Sequence, residues 1–208
     1  DRAADLYMRV HPSASGDLNR FGKHFADFLE TWPPARELPY LADVARLEWL
    51  VEESFHAAER ESLRPIDLAA VAPDRQALLT FDLHPACRLL VSAYPIHRIW
   101  LVNQPDAPGD AAVDLAEGGV FLLVRRCGHE VAIETLGHGG FCMLSLFAAG
   151  RNFDEALRYA VSVQPDFDVA AFLQRHVIGG TFTGFDWPLS CGDETAQGNS
   201  QRPLAAAA

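Results

Sequence analysis

The hydrophobic spacing of this chain changes near residue 77, and that change limits the folds open to it. Before it, Val44, Leu47, Val51, Phe55 and Ala58 recur at three- and four-residue steps, which predicts a helix over residues 40–59 with no Gly or Pro inside it. After it come ALLTFDL, CRLLVSAY, IHRIWLV, GVFLLVRR and HEVAIETL, short runs rich in Leu, Val, Ile and aromatics and bounded by Pro, Gly and Asn, which read as strands. Helical spacing then returns from FCMLSLFAA onward. The expectation is an α+β protein: a helical domain over residues 1–76, a strand-then-helix domain over residues 77–185, and a polar, flexible tail over residues 186–208.

Punctuation residues refine that outline. Residues 1–10 read as the end of a helix, cut at its start and stopped by His11-Pro12, because proline disfavours helical geometry in the residue before it. Asp17 to Leu29 fit a second helix that Pro33-Pro34 cannot extend. Residues 60–76 read as a connector with one turn around Ile66 to Val71, and residues 104–119 as a long loop. Arg126-Cys127-Gly128-His129 fits a hairpin turn, with Gly128 at positive φ. Gly150 suits the position just past a helix end, Asn152 with Glu155 and then Asp168 suit the starts of two more helices, and Gly179-Gly180 ends the last.

Charge and composition narrow the function. A net charge of -11 repels phosphate backbones, and the arginines are scattered, so nucleic-acid binding is not expected. No apolar run approaches the roughly 20 residues that span a bilayer, which predicts a cytoplasmic protein with no membrane contact. Glu53-Ser54-Phe55-His56 has the Glu-x-x-His form of a di-iron ligand pair, but no second copy exists, and a structural ion-pair helix is the better reading. Asp43, Arg46 and Glu48 are its expected buried ion pairs. His138-Gly139-Gly140-Phe141 resembles an oxyanion loop without the serine elbow that would make it one, and no phosphate-binding glycine loop occurs. Neither catalytic residues nor a cofactor are expected. His84, Cys87, Cys127 and His129 remain as a possible soft-metal set without regular ligand spacing.

At SGDLNRFG (15–22), FADFLETWPP (25–34), LPYLADVARLEWLVEESFHAAE (38–59), LHPACRLLVSAYPIHRIWLVNQ (83–104) and FLLVRR, the sequence resembles the HvfC/BufC family, most specifically in PYLADVARLEW. The resemblance covers roughly residues 1–185. It implies a non-catalytic partner protein: a multinuclear non-heme iron enzyme oxidises a cysteine-containing precursor peptide, and this chain recruits the peptide or completes the complex. The family was first described as DNA-binding, so a transcriptional regulator is the alternative. Three strands, IHRIWLV, GVFLLVRR and HEVAIETL, then three helices, are similar in order to PqqD-type peptide-recognition domains, which look like winged helices.

Such a module would bind an extended peptide at a sheet edge. In HEVAIETL, Val131 and Ile133 share one face with His129, and Glu130, Ala132 and Glu134 share the other. As the last strand it is expected at an edge, with Val169, Phe172 and Leu173 of the final helix as the second wall of a groove. Glu130 and Glu134 would favour a basic peptide, and Ile133→Pro is the substitution expected to abolish capture. The competing expectation is that TFTGF, residues 181–185, folds back and fills that edge.

Overall fold

The computed structural model describes residues 2–11, 21–105, 107 and 112–188. In chain order its elements are α1 (Arg2–Val10), a 3-10 turn (Gly22–His24), α2 (Phe25–Thr31), a second 3-10 turn (Pro33–Glu37), α3 (Leu41–His56), α4 (Pro65–Ala69), α5 (Pro73–Gln76), β1 (Thr80–Leu83), β2 (Arg88–Ser92), α6 (Ile96–Val102), a third 3-10 turn (Leu115–Glu117), β3 (Val120–Cys127), β4 (Glu130–Leu136), α7 (His138–Ala148), α8 (Phe153–Val163), α9 (Val169–Ile178) and β5 (Phe182–Asp186). The fold is α+β. The start of the helix expected from Asp17, part of the 104–119 loop, and the tail from residue 189 lie outside the described residues. Among the described residues no helix is long and apolar enough to cross a membrane.

The chain forms two compact units, Asp1–Arg60 with Pro85–Phe141, and Glu61–His84 with Cys142–Ala208. The grouping crosses the boundary expected at residue 77, because the early helices cluster with β2, β3 and β4 instead of with the connector that follows them.

In the first unit β2, β3 and β4 make an antiparallel sheet in that order. Register pairs Leu90 with Leu122 and Val124 with Ile133, so Leu90, Leu122, Val124, Val131 and Ile133 share one face. Helix α3 lies on that face. Leu47, Ile96, Leu122 and Val124 are fully buried together, with Val44, Leu50, Val51, Val131 and Ile133 packed around them. Burying one such leucine contributes about 1.5–3 kcal/mol.

Polar contacts fix both ends of α3. Near its start the Asp43 carboxylate accepts from Ser92 Oγ at 2.6 Å. At its end Arg126 Nη1 donates to the carbonyls of Phe55 and Ala57 at 2.7 and 2.8 Å, satisfying acceptors that the helix leaves without partners, and Arg126 also pairs with Glu59. Between them Glu53 accepts from Arg88 Nε and from the Trp49 indole, each at 3.0 Å. On the opposite side Arg46 joins α3 to α2 by pairing with Glu30 and Asp27 while donating to Asp43 at 2.8 Å. These contacts, the Glu30 hydrogen bond first, hold the Arg46 guanidinium above its ordinary pKa.

The segment IHRIWLV is a helix and not a strand. Pro95 starts it by accepting from the Arg98 and Ile99 amides, and Ile96, Ile99 and Trp100 fall at helical spacing, with Ile96 and Ile99 buried and Leu101 exposed. β-branched and aromatic composition had argued for a strand; the period of three and four decides. The sheet's first strand is therefore Arg88–Ser92. The helix around residues 17–29 also differs, since the described part tightens into the 3-10 turn at Gly22–His24 before α2. A side chain at Gly22 would meet the Trp49 ring at 3.1 Å, so the backbone passes where only glycine fits freely.

In the second unit β1 pairs with β5 antiparallel, from Thr80↔Asp186 to Leu83↔Phe182. Phe81, Phe147 and Phe182 meet at ring-centroid distances of 4.9 to 5.9 Å and are almost fully buried. Gly150 at φ 72° and Gly180 at φ 73° follow the ends of α7 and α9. Asn152 accepts from the Glu155 amide and Asp168 from the Ala171 amide, the two side-chain caps expected. Buried His176 bonds Thr181 Oγ1 through Nδ1 at 3.0 Å.

Removing the Arg46 side chain tests the helix network. The side chains of Arg46 and Asp43 are 31% and 22% exposed, and Asp43 keeps its Ser92 donor, so the loss falls below the 3–5 kcal/mol typical of a fully buried pair. Arg46→Ala is expected to destabilise by about 1–2 kcal/mol in a denaturant titration. An unchanged midpoint would mean the pairs contribute nothing.

Candidate functional site

The hairpin joining β3 and β4 determines what the outer strand can offer. Cys127 faces Glu130 across a two-residue turn in which Gly128 takes φ 64°. The closing pair of such a hairpin exchanges hydrogen bonds, and the pairs then alternate. Glu130, Ala132, Glu134 and Leu136 therefore turn their backbone groups toward β3. Val131, Ile133 and Thr135 turn theirs outward. Sheet order leaves β4 with one neighbour, and among the described residues no backbone group of another strand pairs with that outer row.

β5 does not fill this edge. The segment TFTGF forms a strand as expected, but it pairs with β1. The open row on β4 is thus a backbone surface three residues long.

The side chains are placed differently from the expected groove. Val131 and Ile133 face the core under α3, so neither presents a pocket to a peptide. Glu134 is 11% exposed and lies 3.6 Å from Arg125 Nε, which makes it part of the sheet and not a free acidic contact. Glu130 is exposed at the turn. Val169, Phe172 and Leu173 are half-buried on α9 in the other compact unit, where Phe172 packs on Phe167 and His176 with centroids 5.1 and 4.3 Å apart. Thr135 is the residue missed: it is exposed and points its amide outward. Its place in the same alternation as Val131 and Ile133 was visible in the sequence, but which set faced a helix was not.

Of the three expected ion-pair residues, Asp43 and Arg46 are paired as described. Glu48 is not: among the described residues it has no ion pair or hydrogen bond. Its side chain is exposed by area, yet its carboxyl lies against apolar neighbours that raise its pKa by desolvation. A ligand can therefore reach the carboxyl from solvent while an apolar wall lies behind it.

The residues of other chemistry are spoken for or dispersed. Glu53 serves Arg88 and Trp49, and His56 meets Glu52 at 2.9 Å. Cys87 is buried, Cys127 is exposed at the hairpin, Cys191 lies outside the described residues, and burial pushes the Cys142 thiol up, away from reactive thiolate. Among the described residues no group of three His, Cys, Asp or Glu side chains is gathered to hold a metal. No protein-family model and no curated protein matches the chain.

Glu48 gives a pH test with a defined sign. Its folded pKa is raised, so its contribution to stability is greatest below the ordinary glutamate range and declines as the pH rises through the folded pKa. Glu48→Gln is therefore expected to raise the melting temperature at pH 7, with the gain vanishing in acid. A variant less stable than the parent at pH 7 would contradict this.

Proposed function

We propose that the chain is a non-catalytic, cytoplasmic partner of an iron-dependent oxidative enzyme, and that it captures an extended, cysteine-containing precursor peptide at the outer edge of β4. The observation that carries the reading is the outward backbone row of Val131, Ile133 and Thr135, unpaired among the described residues, on a strand whose Val131 and Ile133 side chains are anchored in a core. An added strand gains its affinity from main-chain hydrogen bonds, and a template held rigid by packing loses little entropy in receiving it.

The strands-then-three-helices order of a PqqD-type, winged-helix-like module remains compatible once β2 replaces the expected first strand and α6 is an insertion. Selectivity would come from side chains beside the edge, Glu130 and Thr135, and not from Val131, Ile133 and Glu134. Val169, Phe172 and Leu173 belong to the other compact unit and have no part in this reading of the edge.

The alternative, a DNA reader using α7 and α8, is less well supported. The start of α8 carries Asp154 and Glu155, and the nearby cations are engaged by them, Arg158 with Asp154 and Arg151 with Glu155 at 3.9 Å. An acidic helix start repels the phosphates it would have to approach.

Thr135→Pro tests the edge better than Ile133→Pro, because Ile133 is packed in the core and its replacement would confound binding with folding. Proline at position 135 removes one outward donor and leaves the ladder to β3 intact. Peptide capture in co-expression with the iron enzyme, read by mass spectrometry of the peptide, is expected to fall at least about tenfold if one edge hydrogen bond of about 1–1.5 kcal/mol is lost together with the local fit of the added strand. Undiminished capture by a folded Thr135→Pro protein rejects the edge, and salt-sensitive duplex binding at micromolar affinity or tighter favours the DNA reading instead.

A further inference from the structure

The first unit contains a second surface whose chemistry is unrelated to the sheet edge. A groove of about 310 Å³ lies between α1, the turn before α2, and α3, with Tyr7, Met8, Phe25 and Trp49 among its apolar walls and Glu48 and Glu52 as the charged groups that line it. Tyr7 is almost fully buried and is fixed by a hydrogen bond from its hydroxyl to the Phe21 carbonyl at 2.8 Å, with Phe25 packed edge-on against it. Met8, by contrast, is half exposed on the rim. The close passage of Gly22 along Trp49 sets the width on one side.

We propose that this groove docks a basic, amphipathic segment of a partner protein, taking the stem of an arginine or lysine along the aromatic wall and its cation at Glu48 and Glu52. The charge decides the occupant. Glu48 sits beside apolar groups with no cation among the described residues to offset its desolvation, and Glu52 pairs with His56. Such a carboxylate disfavours an anion, gains nothing from a neutral apolar guest, and is stabilised by a guanidinium or ammonium, which also interacts favourably with aromatic faces. The volume is at the small end of ligand pockets and suits one long side chain better than a large cofactor. Arginine carries an apolar stem and a charged head on one side chain, which matches a wall of rings beside two carboxylates.

This proposal does not depend on the peptide-edge reading, and the experiment separates them. The full chain is titrated calorimetrically with a synthetic leucine-rich peptide carrying two arginines one helical turn apart, and with the same peptide carrying citrulline at both positions, which keeps the shape and removes the charge. The arginine peptide is expected to bind at least about tenfold more tightly, consistent with a desolvated cation-aromatic and charge-assisted contact. Glu48→Gln, checked for folding by circular dichroism, is expected to lose that discrimination, and Thr135→Pro is expected to retain it. Equal binding of the two peptides, absence of binding, or discrimination that survives Glu48→Gln overturns the proposal. Discrimination lost in a folded Thr135→Pro protein also overturns it, because it would put the contact at the sheet edge.

Discussion

Helix α3 is tied to the sheet of the first unit at both ends, and most of that unit depends on the tie. Asp43 is bound to Ser92 at one end, and Arg126 reaches the last carbonyls of the helix at the other. Apolar packing around Leu47 lies between these contacts and supplies the larger free energy, but it has no direction of its own. The polar contacts supply direction: one guanidinium nitrogen of Arg126 donating to two carbonyls fixes where the helix stops relative to the strands. The same packing takes up the side chains of Val131 and Ile133 and leaves β4 with a backbone to offer. A strand bound on one face and, among the described residues, unpaired along one edge is held stiff by its side chains while its outer backbone groups stay accessible.

Local features were legible in the sequence because their causes are local. Helix α3 followed from an unbroken apolar stripe, the hairpin from Gly128, and the starts of α8 and α9 from Asn152 and Asp168. The segment after Pro95 was misread because its isoleucines and tryptophan weigh toward strand by composition, although Ile96, Ile99 and Trp100 already held the helical period. Where two such signals conflict over seven residues, a proline at the start and the spacing of the buried positions carry more information than β-propensity, which mostly measures fit to a pleated surface.

Partner choice was not legible. Nothing in TFTGF distinguishes a strand that pairs with β1 from one that pairs with β4, since both pairings are decided by tertiary proximity. The alternation of HEVAIETL was correct, but its burial sense needed the position of α3. Glu48 was expected to tie the helix to a neighbouring element; its side of the helix instead faces aromatic rings and no described cation. The charges that do pair, Asp43, Arg46 and Glu53, are those that another element can reach.

The pairing of β1 with β5 has a consequence in time. Thr80 and its partner Asp186 are separated by 106 residues, so an entire sheet and several helices must be made before the first strand of the second unit meets its mate. At typical synthesis rates that interval is roughly 5–20 s. During it the segment around Phe81 is a short apolar strand with no neighbour, while the chain between Pro85 and Phe141 can already assemble against the helices at the start. The nascent protein would thus pass through a stage with one unit closed and the other waiting, and the open strand is where a chaperone, or a second nascent chain, would find it.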